Sequence, residues 1–93
     1  MNNNISESDI REVYDLISQA KMCSSLKAVK EYTTRLRFMA NYFPSPMNIK
    51  LCEICSCLES YCNQRSDTEW ARTNLNNAVG TFDAMVRKAR SGE

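Results

Sequence analysis

Apolar side chains recur every three or four residues through most of this chain, and that spacing constrains its fold more than any other feature. Between positions 26 and 43 they form one unbroken stripe: Val29, Tyr32, Leu36, Met39 and Phe43. Residues at this spacing share one face of an α-helix. The stripe therefore predicts a helix over residues 26–43, ending where Pro44-Ser45-Pro46 blocks further helical hydrogen bonding.

Three further segments have the same periodicity and their own start or stop signals. The expected helices span residues 7–21, 46–62 and 67–90. Ser6 with Asp9 resembles a capping box in which Asp replaces Glu or Gln, and Ser66 with Glu69 is a complete capping box. Pro46 stands at a first helical position, which tolerates proline. These signals predict four helices joined by short connections.

The length of 93 residues allows one domain, and only two glycines and two prolines are too few for a turn-rich sheet protein. Short connections between consecutive helices favour antiparallel neighbours. We therefore expect an all-α fold, either a four-helix bundle or two packed antiparallel helical hairpins. Residues 6–93 would form the domain, and residues 1–5 a flexible N-terminal tail.

The formal charge changes sign along the chain in step with the expected helices. The net charge is −3 over residues 1–20, +5 over 21–50, −3 over 51–70 and +2 over 71–93. Opposite charges on neighbouring helices attract, although each surface pair contributes only about 0.2–1 kcal/mol. The alternation thus favours pairing each helix with the next one along the chain.

The five cysteines are an odd number, and no signal-peptide pattern or long apolar run accompanies them. We therefore expect reduced thiols, a cytoplasmic location and no membrane partner. Cys52, Cys55, Cys57 and Cys62 could be a metal site, a redox pair or part of the core. Because about 100° separates successive residues of a helix, Cys52 and Cys57 diverge, which favours core packing and predicts no metal or cofactor.

Catalytic groups are scarce in this sequence. There is no histidine, so the commonest general base is missing. The two glycines, Gly80 and Gly92, are isolated and form no phosphate-binding loop. Most carboxylates stand in first turns or on polar faces, where capping and solubility explain them. We expect that the protein is not an enzyme.

Two surfaces have the composition of protein-binding sites. On the second helix, Phe38 and Tyr42 lie off the apolar stripe and beside Arg35. Aromatic and arginine side chains are enriched at binding hot spots. The alternative is that the two rings flank the core or cover a neighbouring helix.

The second candidate surface is a stretch of the fourth helix, residues 73–82, that carries no charge. Its outer side has poor helix formers where exposed faces usually have charged residues. Small uncharged side chains let another backbone approach closely. The alternative is a poorly optimised surface. The expected partner-binding residues here are Thr73, Asn76, Asn77 and Gly80.

These observations predict a non-enzymatic helical protein-binding module: an inhibitor, an immunity-type protein, a secretion chaperone or a regulatory adaptor. Its partner would be another protein or a second copy of this chain. The alternative is a small nucleic-acid-binding regulator, because basic residues cluster on two helices. Those residues are Lys27, Lys30, Arg37, Arg87, Lys88 and Arg90.

Overall fold

The fold is all-α, as predicted. A computed structural model describes residues 6–63 and 68–90, and no strand occurs in these two ranges. The expected tail, residues 1–5, and the capping residue Ser66 lie outside the described residues. The helices are α1 (Glu7–Lys21), α2 (Leu26–Met39), α3 (Met47–Asn63) and α4 (Thr68–Arg90), with a 3₁₀ turn over Ala40–Tyr42.

The starts of α1 and α2 are fixed by serine caps. The Ser6 hydroxyl accepts a hydrogen bond from the Asp9 backbone N–H at 3.3 Å. The Ser25 hydroxyl accepts one from the Ala28 N–H at 3.1 Å. Each bond satisfies a donor that the first turn of a helix leaves without an intrahelical acceptor. Both starts agree with the sequence.

The end of α2 differs from the predicted end at residue 43. The α-helix stops at Met39, and the chain tightens into the 3₁₀ turn before Phe43 adopts extended angles of φ −115° and ψ 143°. Pro44 explains the extended angles, because a proline disfavours the α conformation in the residue before it. Phe43 is nevertheless buried, so the apolar stripe continues past the last α-helical turn.

Both boundaries of α3 shift by a single residue. α3 begins at Met47 instead of 46 and ends at Asn63 instead of 62. α4 is described from Thr68, and its predicted start at residue 67 lies outside the described residues. The early turns of α3 are held by Asn48, whose N–H donates to the Pro44 carbonyl at 3.2 Å, and by Lys50, which donates to Pro46 at 3.1 Å.

Consecutive helices pack against each other in an up-down bundle, and α1 also contacts α3. Two side-chain hydrogen bonds show that α1 and α2 are antiparallel, because the later residue of α1 pairs with the earlier residue of α2. Arg35 donates to Glu12, and Tyr32 donates to Gln19. By contrast, no Cα of α2 lies within 8 Å of a Cα of α4. Because α4 packs on α3 and is joined to α1 by the Arg90–Glu7 ion pair, the bundle places α2 and α4 diagonally.

The core forms along the predicted stripes. The largest side chains with less than 2% exposure come from all four helices, and Thr33 is the one polar residue among the buried side chains that the structure describes. The apolar side chains with less than 2% exposure are Ile10, Val13, Val29, Leu36, Leu51, Ile54, Cys55, Leu58, Leu75, Phe82 and Ala71.

At 23 residues α4 has the length of a membrane span, but no helix in the described ranges is both long and apolar enough to cross a bilayer.

Interhelical ion pairs follow the charge alternation in part. Arg35 on α2 pairs with Glu12 on α1 at 2.7 Å, and α2 is joined to α3 in the same way. A third pair, Arg90 with Glu7 at 2.6 Å, joins α4 to α1. The expectation that each helix neighbours the next one along the chain is met by all three consecutive pairs, including α3 with α4.

Candidate protein-binding surfaces

Phe38 and Tyr42 form an exposed aromatic pair at the end of α2. Phe38 lies in the last turn of the α-helix, and Tyr42 ends the 3₁₀ turn. Their ring centroids are 5.7 Å apart with an interplanar angle of 84°, which is an edge-to-face contact. Each side chain is 56% exposed. Each ring therefore contacts the other and remains more than half exposed to solvent.

Arg35 lies one turn before this pair and is tied to α1. Its Nε and Nη2 atoms donate to the same carboxylate oxygen of Glu12, at 3.0 and 2.7 Å. The ion pair holds a long side chain that would otherwise sample many rotamers. A partner that covers the aromatic face, defined here as Arg35, Phe38 and Tyr42, would also meet Glu12.

The predicted residues on α4 are all exposed. The Thr73 hydroxyl donates a hydrogen bond to the Glu69 carbonyl of its own helix at 3.0 Å. Asn76 and Asn77 present amide groups, and Gly80 completes the surface. We call Thr73, Asn76, Asn77 and Gly80 the α4 face. The sequence singled out each of these positions, and the structure places them all outside the core.

Gly80 has no steric reason within this chain to be glycine. A Cβ atom built at Gly80 would meet nothing within 4 Å. Glycine in a helix interior costs roughly 0.5–1 kcal/mol relative to alanine. The bundle itself gains nothing from that cost, so the space above Gly80 is available to a partner.

A groove between α3 and α4 extends the α4 face and was not predicted. It has a depression of about 360 Å³ and a neighbouring one of about 120 Å³. Trp70, 55% exposed, lies at the second depression. Trp70 lies off the apolar stripe of α4, and an aromatic residue off the stripe is the same sequence feature that singled out Phe38 on α2. The groove is lined by Lys50, Glu53, Ser56, Cys57, Ser60, Trp70, Ala71, Asn74, Asn77, Ala78 and Thr81.

The aromatic face and the α4 face do not form one surface. They belong to α2 and α4, whose backbones do not approach within 8 Å of each other. The α4 face instead continues onto α3 through Asn77, which lines the larger depression of the groove. A single flat partner would therefore cover one face and leave the other exposed.

Several basic residues of the nucleic-acid alternative are engaged with carboxylates. Arg37 donates to Glu59 at 2.9 Å, and Arg90 donates to Glu7 at 2.6 Å. Arg37 and the buried Thr33 both donate to the same oxygen of Glu59, Thr33 at 2.7 Å. The Arg37 bond, with a smaller effect of Thr33, lowers the pKa of Glu59 below its ordinary value. This network links α2 to α3 and uses Arg37 for packing.

Cys52 and Cys55 of α3 differ in burial. Cys55 is buried and donates to the Thr33 carbonyl, whereas Cys52 is exposed. Among the described residues, no three histidine, cysteine or acidic side chains come close enough to hold a metal ion. No family model, curated protein or solved structure matches this chain. Surface geometry is therefore the basis on which function can be proposed.

Proposed function

We propose that this protein is a non-enzymatic, helical protein-binding module that contacts its partner through the aromatic face. The observation that carries the proposal is the Phe38–Tyr42 pair: two large rings, each 56% exposed, held in an edge-to-face contact. Large rings buried at the centre of an interface supply much of its binding energy. A partner that covers these two rings would remove apolar surface from water, which favours binding.

The neighbouring residues support the same function. Because Phe38 and Tyr42 contact each other and Arg35 is tied to Glu12, this surface loses little conformational freedom when a partner binds. An inhibitor, an immunity-type protein, a secretion chaperone or a regulatory adaptor would each use such a surface. The partner would be another protein or a second copy of the chain, in the cytoplasm, where reduced thiols persist.

Nucleic-acid binding is the weaker candidate. Phosphate binding needs basic side chains that are available to the backbone of the nucleic acid. Arg37 and Arg90 are paired with Glu59 and Glu7. Lys27 and Lys30 remain exposed on α2, which makes Lys27 the residue that separates the two functions.

The test compares the complete chain with Phe38→Ala/Tyr42→Ala and a matched control, Ile49→Ala. Ile49 is 63% exposed on α3, so the control removes an equally accessible apolar side chain outside the aromatic face. Partners captured from extract of the native cell are quantified by mass spectrometry, and the affinity of the purified partner is measured by calorimetry. We expect the double variant to bind at least about 30-fold more weakly, which corresponds to about 2 kcal/mol.

Three results would contradict the proposal. Equal binding by the double variant would remove the aromatic face from the interface. An equal loss in Ile49→Ala would show a nonspecific apolar effect. A strong loss in Lys27→Ala, together with nucleic-acid retention on filters that falls steeply with salt, would favour the nucleic-acid regulator. Circular dichroism of each variant confirms that the fold is retained.

A further inference from the structure

Cys23 and Cys62 are brought together although 39 positions separate them in the sequence. The Cys62 sulfur lies 3.8 Å from the carbonyl oxygen of Cys23. Cys23 is in the connection between α1 and α2, and Cys62 is in the last turn of α3. Both side chains are half-buried. Two cysteines from separate elements thus meet at one end of the bundle.

The contact brings the Cys62 side chain to the backbone of Cys23, and a disulfide would require the Cys23 side chain to turn toward it. In Cys23 the C=O bond is about 1.23 Å long, and the bond from that carbon to the Cα is about 1.52 Å long. Together with the 3.8 Å contact, these lengths place the Cys62 sulfur within about 6.5 Å of the Cys23 Cα. The Cys23 sulfur is now turned toward the Gln19 carbonyl, 3.5 Å away. Cys23 lies outside the helices, so the proposed bond requires its side chain to leave the Gln19 carbonyl for the Cys62 sulfur.

The other three cysteines are placed differently. Burial raises the pKa of Cys55 to about 12, and burial also raises the pKa of Cys57. The thiolate is the reactive form, so these two thiols are poor nucleophiles. Cys52 is exposed and shares α3 with both. In the described structure, Cys23 and Cys62 are the pair in which one cysteine's sulfur contacts the other's backbone.

We propose that Cys23 and Cys62 form a reversible thiol–disulfide exchange site for low-molecular-weight disulfides such as glutathione disulfide. One thiolate attacks a sulfur of glutathione disulfide, and the first glutathione leaves as its thiolate. The second cysteine loses its proton, attacks the protein sulfur of the mixed disulfide and releases the second glutathione. The protein loses two electrons and two protons, and glutathione disulfide is reduced to two glutathione molecules.

The resulting bond would connect the α1–α2 connection to the end of α3. Closing a loop of this length restricts the unfolded chain, so the oxidised protein should melt at a temperature about 10 °C higher than the reduced protein. Phe38 lies 12 residues beyond the start of α2, or about 18 Å along the helix. The exchange site and the aromatic face are therefore independent of each other.

The experiment treats the complete folded chain with glutathione disulfide and measures its mass without reducing agent. We expect the loss of two hydrogens and no retained glutathione. Cleavage after lysine, arginine and glutamate then separates the cysteines: Cys23 lies in residues 22–27, Cys62 in 60–65, Cys52 in 51–53, and Cys55 with Cys57 in 54–59. The expected linked product joins residues 22–27 to 60–65.

Serine variants and the melting temperature complete the test. Cys23→Ser and Cys62→Ser should each abolish the intramolecular link, whereas the control Cys52→Ser should leave it unchanged. A link from residues 22–27 to any other fragment would overturn the proposal, as would stable glutathione adducts without a link. A melting temperature that does not rise on oxidation would contradict the geometry. Circular dichroism of the serine variants separates a lost link from a lost fold.

Discussion

The phenol hydroxyl of Tyr14 on α1 donates a hydrogen bond to a carboxylate oxygen of Asp83 on α4. No Cα atoms of these two helices lie within 8 Å of each other, so side chains alone close this side of the bundle. The Tyr14 ring also meets Phe82 edge-to-face, with centroids 6.0 Å apart. Tyr14 therefore joins the core to the polar surface between the first and last helices.

Replacing Tyr14 by phenylalanine should reduce the free energy of unfolding by about 1–3 kcal/mol. The ring contact with Phe82 would remain, but Asp83 would lose its donor, and an unsatisfied carboxylate is costly at a half-buried site. Urea titration at neutral pH measures the loss. Tyr42→Phe, at an exposed tyrosine, is the control and should unfold like the wild type.

The same hydrogen bond predicts a loss of stability in alkali. Burial, and then the hydrogen bond to Asp83, raise the pKa of Tyr14 above its ordinary value of 10.0. A group whose folded pKa is raised contributes fully below its unfolded pKa, and the contribution declines as the pH rises above about 10. Tyr14→Phe should lose less stability than the wild type between pH 9 and pH 11. Parallel slopes for the two proteins would contradict this assignment.

Leu36→Ala and Phe82→Ala should each cost about 2–5 kcal/mol, because both side chains have no exposed surface. In a domain of this size either loss can approach the total stability. Guanidinium titrations measure the change, and a variant that does not fold at all agrees with the prediction. A cost below about 0.5 kcal/mol would place the substituted side chain outside the core.

Glu59 should make the protein sensitive to acid. Its folded pKa is lowered, chiefly by the hydrogen bond from Arg37, so its contribution is present above the unfolded pKa near 4.5 and is lost as the pH falls through the folded value. In Glu59→Gln, the free energy of unfolding that is lost as the pH falls through that range should therefore be smaller by about 1 kcal/mol. Glu31→Gln, at an exposed carboxylate of α2, is the matched control for the substitution itself.

Gly80→Ala should stabilise the isolated protein by about 0.5–1 kcal/mol, since alanine favours the helix and its Cβ meets no atom within 4 Å. Asn77→Arg tests the same face with a larger side chain and should leave the stability nearly unchanged. Thermal unfolding measures both effects. A destabilised Gly80→Ala protein would mean that something in solution packs closely over the α4 face, such as a second copy of the chain.

The sequence determined the helices because their signals are local. The spacing of apolar residues fixes which side of each helix is buried, and Ser6 and Ser25 fix two of the starts. The end of α2 was missed by four residues. The apolar stripe runs through Phe43, but the chain leaves the α conformation after Met39 while keeping Phe43 in the core. A stripe records burial, and burial does not require an unbroken α-helix.

Only the tertiary structure decided which side chains meet across helices. Periodicity gives the angle of a residue around its own axis, but it does not give the identity or the distance of the helix opposite. For that reason the sequence could not show that Thr33 is buried against Glu59, or that Cys23 meets Cys62. It identified the aromatic face and the α4 face correctly as exposed. Their separation follows from the diagonal placement of α2 and α4, which depends on how the four helices pack together.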